Sequence, residues 1–546
     1  VVSGYHAPRT RGQHTARIAG SGCLLALVFA LSVIAAEAQV RPAVPGNSSS
    51  RAGQIAARAQ HEITAGNVSG ARNLLLEGVR VFPREASLWN LLGAAEAELQ
   101  HPAKAKQDFR RAIALSPRYT GAYLNLGHLQ EIESASNPKS LSGALDTFRK
   151  LLQFDPNNID GLFQYALLAF QKGLFSDSLA HLRRIPEPEM QRARALAILC
   201  ADLAATGSPD QAKLAADSMF HQPDVNEAVV LTAVNALAAH HHNSFAILLL
   251  KGLHQRGLAS PDSLEELGLL EKSAGRIKEA RSTLDEAARA KPNDVHLLMQ
   301  LADVANQERD YRGALGYLAH ARDLAPKNAS IHFFFGMICV KLDLHEEAYE
   351  SLKKAVALEP NNAYYNYALG AVCTARTDVD EAVASFKKYC SLKPHDPRGR
   401  LALGAAYYFA HNLSAAQSTL ADLVRNPVTS TAANYYLGRV AADQGSYAAA
   451  LAYLKQAIRE RPEYADAYAA LGTVYLREKN YSASSKAFQK ALALQPENYL
   501  ANLNLMILYL RTKDARAAAQ QKRFAKVREE RADRAKLFLR RIRVVR

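Results

Sequence analysis

Apolar residues along most of this chain recur at three- and four-residue spacings, the pattern of helices with one apolar face. A longer period is laid over that short one. Its clearest copy opens at Ala465: with that residue as position 1, Tyr468 stands at 4, Leu471 and Gly472 at 7 and 8, Tyr475 at 11, Phe488 at 24, Ala491 at 27 and Pro496 at 32. Tyr468, Leu471, Tyr475 and Phe488 form one apolar face per helix, and Gly472 and Ala491 are small where two helices must approach closely. Pro496 ends the second helix, because it has no N–H to donate to the next turn. The spacing therefore predicts a helical hairpin.

Further hairpins are predicted to open near Ala52, Ala86, Thr120, Ile159, Ala193, Glu227, Pro261, Val295, Ala329, Ala363, Pro397, Thr431 and Tyr499. From Ala193 to Tyr499 every interval is 34 residues. The interval from Thr120 to Ile159 is 39, which predicts five extra residues around 133–140, at the turn between that unit's helices. Position 8 is glycine at Gly268, Gly336, Gly370, Gly404, Gly438 and Gly472, with Ala302 as the exception in that run. In the units opening at Ala193 and Glu227 the glycine is replaced by Cys200 and Val234, so residues 193–260 are expected to form a degenerate stretch with a weaker joint.

The second unit carries Trp89, Leu92-Gly93, Ala105, Phe109, Ala112 and Pro117 at the matching positions. This order and the period resemble the tetratricopeptide repeat (TPR), specifically its bacterial exported type. The resemblance implies an all-α solenoid, a right-handed superhelix of about fourteen helix-turn-helix repeats over residues 52–527. One continuous stack would then replace the several separate cores that 546 residues ordinarily suggest.

The formal charge of +15 is unevenly spread. Residues 511–546 hold fourteen Lys or Arg against four acids, or +10, which leaves +5 for the rest. The repeat body thus lacks the broad basic footprint of a nucleic-acid binder. Residues 523–546 read as a basic amphipathic helix, with 528–546 beyond the repeats, suited to capping the stack or to touching an anionic surface. At the other end, Arg9, Arg11 and Arg17 precede an apolar run at 23–36 and the small-residue sequence Ala36-Glu37-Ala38. That layout predicts a secretory signal peptide at 1–38, followed by a flexible linker at 39–51 rich in Pro, Gly and Ser. The protein is then exported, periplasmic or secreted, with an uncleaved membrane-anchoring leader as the alternative.

Of five cysteines, Cys339 and Cys373 share position 11, where a buried packing residue belongs. No CxxC, GxxxxGK[ST], HExxH or GxSxG occurs in a credible setting, so no catalytic residue, metal site or cofactor is expected. His240, His241 and His242 fall at a turn between helices, which suits an exposed polar turn better than a metal site.

By the TPR resemblance, function sits on the concave face lined by positions 2, 5, 9, 12 and 13 of each first helix. Position 5 reads Met299, Phe333, Tyr367, Leu401, Tyr435, Ala469 and Leu503, and neighbouring groove positions add Met337, Val340, Tyr364, Tyr408 and Phe409 with Arg398, Arg439 and Arg477 among them. Aromatic and Arg residues of this kind anchor interfaces, although the same residues also pack helix on helix. The expected function is a non-enzymatic scaffold that holds a protein or peptide in this groove. The alternative is a module for envelope polysaccharide or anionic lipid. The Lys/Asn/Arg set by which chaperone-binding TPR domains clamp a carboxylate is not reproduced, since the second unit has Asn90 and Ala94 at positions 5 and 9.

Overall fold

A helix begins wherever the repeat restarts. In the computed structural model, which describes residues 50–542 and their side chains as far as residue 530, first helices open at the predicted residue in twelve units. The other two, Arg51–Thr64 and Ser430–Asp443, start one residue early. Among the described residues every regular element is helical, with 29 α-helices and one short 3-10 helix. The proposed leader at 1–38, most of the linker and residues 543–546 lie outside the described residues.

The chain divides into two compact units between Ser263 and Leu264. In the first, Ala86–Glu98 folds against Pro102–Leu115, and Thr120–Ser134 against Pro138–Phe154. The five extra residues of the latter pair are not at its turn. Its helices are 15 and 17 residues long against 13 and 14 in the preceding pair, so the insertion is absorbed entirely as added helix. Helix closes its own backbone hydrogen bonds, whereas a longer turn would leave them to solvent. In the next hairpin the second helix, Phe175–Leu182, is cut short ahead of Pro186 and Pro188 and followed by the single turn Glu187–Met190.

The second unit is more regular, running from Val295–Gln307 with Tyr311–Leu324 to Tyr499–Arg511 with Ala517–Ile542. Its hairpins close as position 8 requires. A Cβ built on Gly472 would lie 2.6 Å from the Phe488 ring, so only glycine admits this approach. Phe488 is fully buried as a result, worth about 2–3 kcal/mol. The same contact joins Gly127 to Phe148 in the first unit. Between hairpins of the second unit, Leu298, Leu318, Ile338, Leu352, Val372, Phe386 and Ala406 belong to one contiguous apolar interior.

Two signals that set the hairpin ends were not read from the sequence. The residue two past the terminating proline caps the next first helix, as Asn158, Asp294, Asn328, Asn362, Asp396 and Asn498 do by accepting from backbone N–H groups of its first turn. Position 15 takes a left-handed conformation in the turn between helices, whether it is Gly445 (φ 79°) or Lys479 (φ 62°). Cys200, Cys339 and Cys373 are buried free thiols and Cys390 is a half-buried one.

Candidate functional site on the first-helix face

Neighbouring first helices of the second unit meet through the positions expected to line a groove. Lys272 Nζ reaches Asp303 at 3.1 Å and Lys341 Nζ reaches Asn306 at 2.6 Å. Farther along, the Tyr408 hydroxyl donates to Asp443 at 2.8 Å, and Arg477 donates to the same carboxylate at 3.0 Å and to the Ala442 carbonyl at 2.7 Å. These polar pairs occupy positions 9, 12 and 13 and fasten one first helix to the next.

The rest of the face is apolar. Met299, Phe333, Met337 and Tyr367 are half-buried and pack against the contiguous interior, while Leu401 packs on the cluster around Leu420 and Leu437. Phe333 stacks on Tyr365 at 4.8 Å, and Tyr367 meets Phe386 and Tyr389 edge-on at 5.4 and 5.0 Å. Tyr364 and Phe409 stand out from it, exposed by 38% and 39%.

Three of the expected groove residues are engaged elsewhere. Tyr435 is core: its ring is 7% exposed, pressed between Tyr436 and Tyr464 at 5.1 Å each. Tyr464, which precedes the next first helix, closes over it. Arg398 turns back to the cap of its own helix, donating Nε and Nη2 to Asp396 at 3.0 and 2.8 Å. Those hydrogen bonds, against the opposing effect of burial, hold the Asp396 carboxyl down to about 2. Arg439 donates to the Tyr435 hydroxyl at 3.1 Å and lies over the Tyr408 ring at 4.5 Å, with the Tyr435 and Phe409 rings at 5.5 and 5.9 Å. A guanidinium so stacked is a cation–π strut. Tyr408 is half-buried beneath it, and burial together with its bond to Asp443 raises its phenol while the Arg439 charge pulls it down. Burial pushes Tyr436 up to about 12. The phenols of this cluster therefore remain neutral, and that of Tyr408 donates.

Tyr436, Tyr464 and Asp443 were not singled out from the sequence, because each acts across a boundary between units. The signal available was aromatic density: among the described residues, five ring contacts involve Tyr408, Phe409, Tyr435 or Tyr436. His240 and His241 are exposed at the turn after Glu227–Ala239, with the Phe175 ring edge-on to His240 at 5.2 Å and to His242 at 5.6 Å. Among the described residues, no group of three or more His, Cys, Asp or Glu is placed to hold a metal, and no helix is long and apolar enough to cross a membrane.

Stacked two-helix hairpins whose first helices share one half-apolar face define a helical-repeat scaffold for protein binding, a fold that is typically non-catalytic. Family models described as tetratricopeptide repeat match residues 305–372 and 441–487, and, for a second such model, 56–120, 265–333 and 469–522. The chain is a tetratricopeptide repeat protein. The BBSome complex member BBS4 of Bos taurus is 23% identical over 300 residues, covering 53% of this chain and 50% of that protein, so the chain spans about half the length of this curated relative. Among solved structures, Cut9 in the APC/C hetero-tetramer Cut9–Hcn1 and yeast Tom70 are each 14% identical, covering 90% of this chain and 96% of theirs, at TM-scores of 0.36 and 0.33.

Proposed function

We propose that the first-helix face of the second unit holds an extended or helical segment of a partner protein, and that the protein is an exported adaptor of the cell envelope, periplasmic or secreted. The observation that carries this is the apolar strip itself. Met299, Phe333, Met337, Tyr364, Tyr367, Leu401, Tyr408 and Phe409 lie on four consecutive first helices, and two of them leave more than a third of a large ring to solvent. Polar pairs between neighbouring first helices, Lys341 with Asn306 and Tyr408 with Asp443, lie on the same face and give a partner fixed polar points beside the apolar ones. The bovine relative is by its name a member of a complex, in keeping with an adaptor role. The test is a site-resolved capture from the native source. Tyr364→Ser with Phe409→Ser, both at exposed rings, should reduce recovery of the partner at least tenfold with helicity and unfolding temperature unchanged. Equal recovery would remove the strip from the binding site.

A second contact belongs to the last helix, Ala517–Ile542. Its beginning caps the stack: Gln520 donates to the Asn502 carbonyl at 3.1 Å and to its side chain at 3.0 Å, and Phe524 packs on Tyr499 at 5.3 Å. The helix then continues twelve residues past 530, roughly 18 Å. We assign this basic extension to contact with an anionic surface, tested by deleting 531–546 and measuring sedimentation with phosphatidylglycerol vesicles. Loss of binding supports the assignment, and unchanged binding reduces the helix to a cap.

A further inference from the structure

Position 10 of the first helix is a core position. Its buried occupants elsewhere are apolar, among them Ala95, Leu168, Val304, Ile338, Val440 and Val474. In the unit opening at Ala193 it is Asp202, and Asp202 is 0% exposed. Neither carboxylate oxygen has a hydrogen-bond partner, and neither does the Ser178 hydroxyl that faces it from Phe175–Leu182, itself 0% exposed. A buried carboxylate without partners is strongly disfavoured in its ionised form.

The surroundings offer no compensating charge. The thiol of Cys200, on the same helix, is 0% exposed and donates to the Ala197 carbonyl at 3.2 Å. Asp177 and His181, on the helix that carries Ser178, bond to the Tyr165 hydroxyl and to a backbone carbonyl. Asp210, Lys213 and Asp217, on the following helix Pro209–Phe220, are exposed, as are Arg194 on the same helix, Asp160 on Ile159–Gln171 and Glu187 on the single turn Glu187–Met190. Glu227, at the start of Glu227–Ala239, is committed to the Ser260 N–H at 2.8 Å. Cys200 also stands where other units have the glycine that lets two helices close.

We propose that Asp202 makes the hairpin of Ala193–Ala205 and Pro209–Phe220 a proton-held joint, closed while the carboxyl keeps its proton and opening as that proton passes to solvent. Burial pushes this carboxyl up to about 8, with the Ser178 hydroxyl acting in the other direction. In the opened hairpin the group titrates near its ordinary value of 3.8. Between these two values opening releases one proton. The opening constant then rises about tenfold per pH unit and levels off near the upper value, so the joint is tightest in acid and loosest in mild alkali.

Cys200 is the built-in reporter. Full-length protein is alkylated with N-ethylmaleimide at pH 5.5 to 9, and each cysteine is quantified by peptide mass spectrometry beside Asp202→Asn, whose amide copies the shape of the protonated acid. The ratio of wild-type to variant labelling cancels the titration of the thiol itself. It should climb about tenfold per pH unit up to pH 7.5 and flatten near 8, while the ratios at Cys339 and Cys373 stay constant. Asp202→Val, which restores the apolar residue of other units, should label Cys200 as slowly at pH 9 as at pH 6 once corrected for thiolate content. A Cys200 ratio that does not change with pH would overturn the proposal. So would a rise shared equally by Cys339 and Cys373, which would mark opening of the whole chain.

Discussion

Between Gly472 and Phe488 a single hydrogen in place of a side chain decides whether two helices can touch. Gly472→Ala places a Cβ against a fully buried ring that has no room to withdraw, and should cost about 1–3 kcal/mol in urea denaturation. Charge is equally local. Glu96 is buried, and although that alone would raise its carboxyl, hydrogen bonds from Arg72 and His101, both at 2.6 Å, hold it low. Asp108 nearby is pushed up to about 6 by burial and then by the charge of Glu96. Stability from Asp108 is therefore complete below its ordinary 3.8 and lost as pH rises to about 6. Asp108→Asn should gain roughly 1–2 kcal/mol on wild type between pH 4 and 6.5, after allowance for solvent screening, as read by denaturation at each pH. Neither carboxylate was legible beforehand, because spacing places a residue on a helix but not the charges that gather around it. Tyr435 shows the same limit: position 5 is shared by half-buried and buried rings, and it is Tyr436 beside it and Tyr464 from the next unit that make this one core.

Individual helices were the most legible level, because a 34-residue period fixes starts and stops that one hairpin alone would leave uncertain. What the period could not place was the 39-residue unit, where the extra residues lengthened both helices. Position 15 also escaped notice, since its left-handed backbone is filled by Gly in some units and by Gln100, His241, Arg309 or Lys479 in others. A side chain there carries a penalty of about 1 kcal/mol that glycine avoids. Lys479→Gly, at an exposed turn, should therefore raise stability by roughly 0.5–1 kcal/mol in thermal unfolding with no change in helicity. A loss would mean that the lysine side chain makes a stabilising contact outweighing its backbone strain.

For the molecule as a whole, the repeat architecture follows from the sequence because every unit restates it, whereas the binding face depends on which side chains neighbouring units leave uncovered. Seven of the ten groove residues expected from position alone lie on the apolar strip, and Phe409 is its eighth member. Arg398 and Arg439 serve instead as a cap partner and a cation–π strut, and Tyr435 sits beneath the strip as core. Export and envelope location rest on residues 1–38 and are tested by N-terminal sequencing of the mature protein, which should begin at Gln39.

The measurement that bears most directly on the adaptor reading is site-specific photocrosslinking in the native source. A photoreactive residue is placed in turn at Tyr364 and Phe409 on the strip, and at Lys354 and Lys490, exposed on second helices. One partner protein should be crosslinked from both strip positions, through a single continuous segment, and none from the two lysine positions. Crosslinks to that partner from Lys354 or Lys490, with silence at Tyr364 and Phe409, would contradict it.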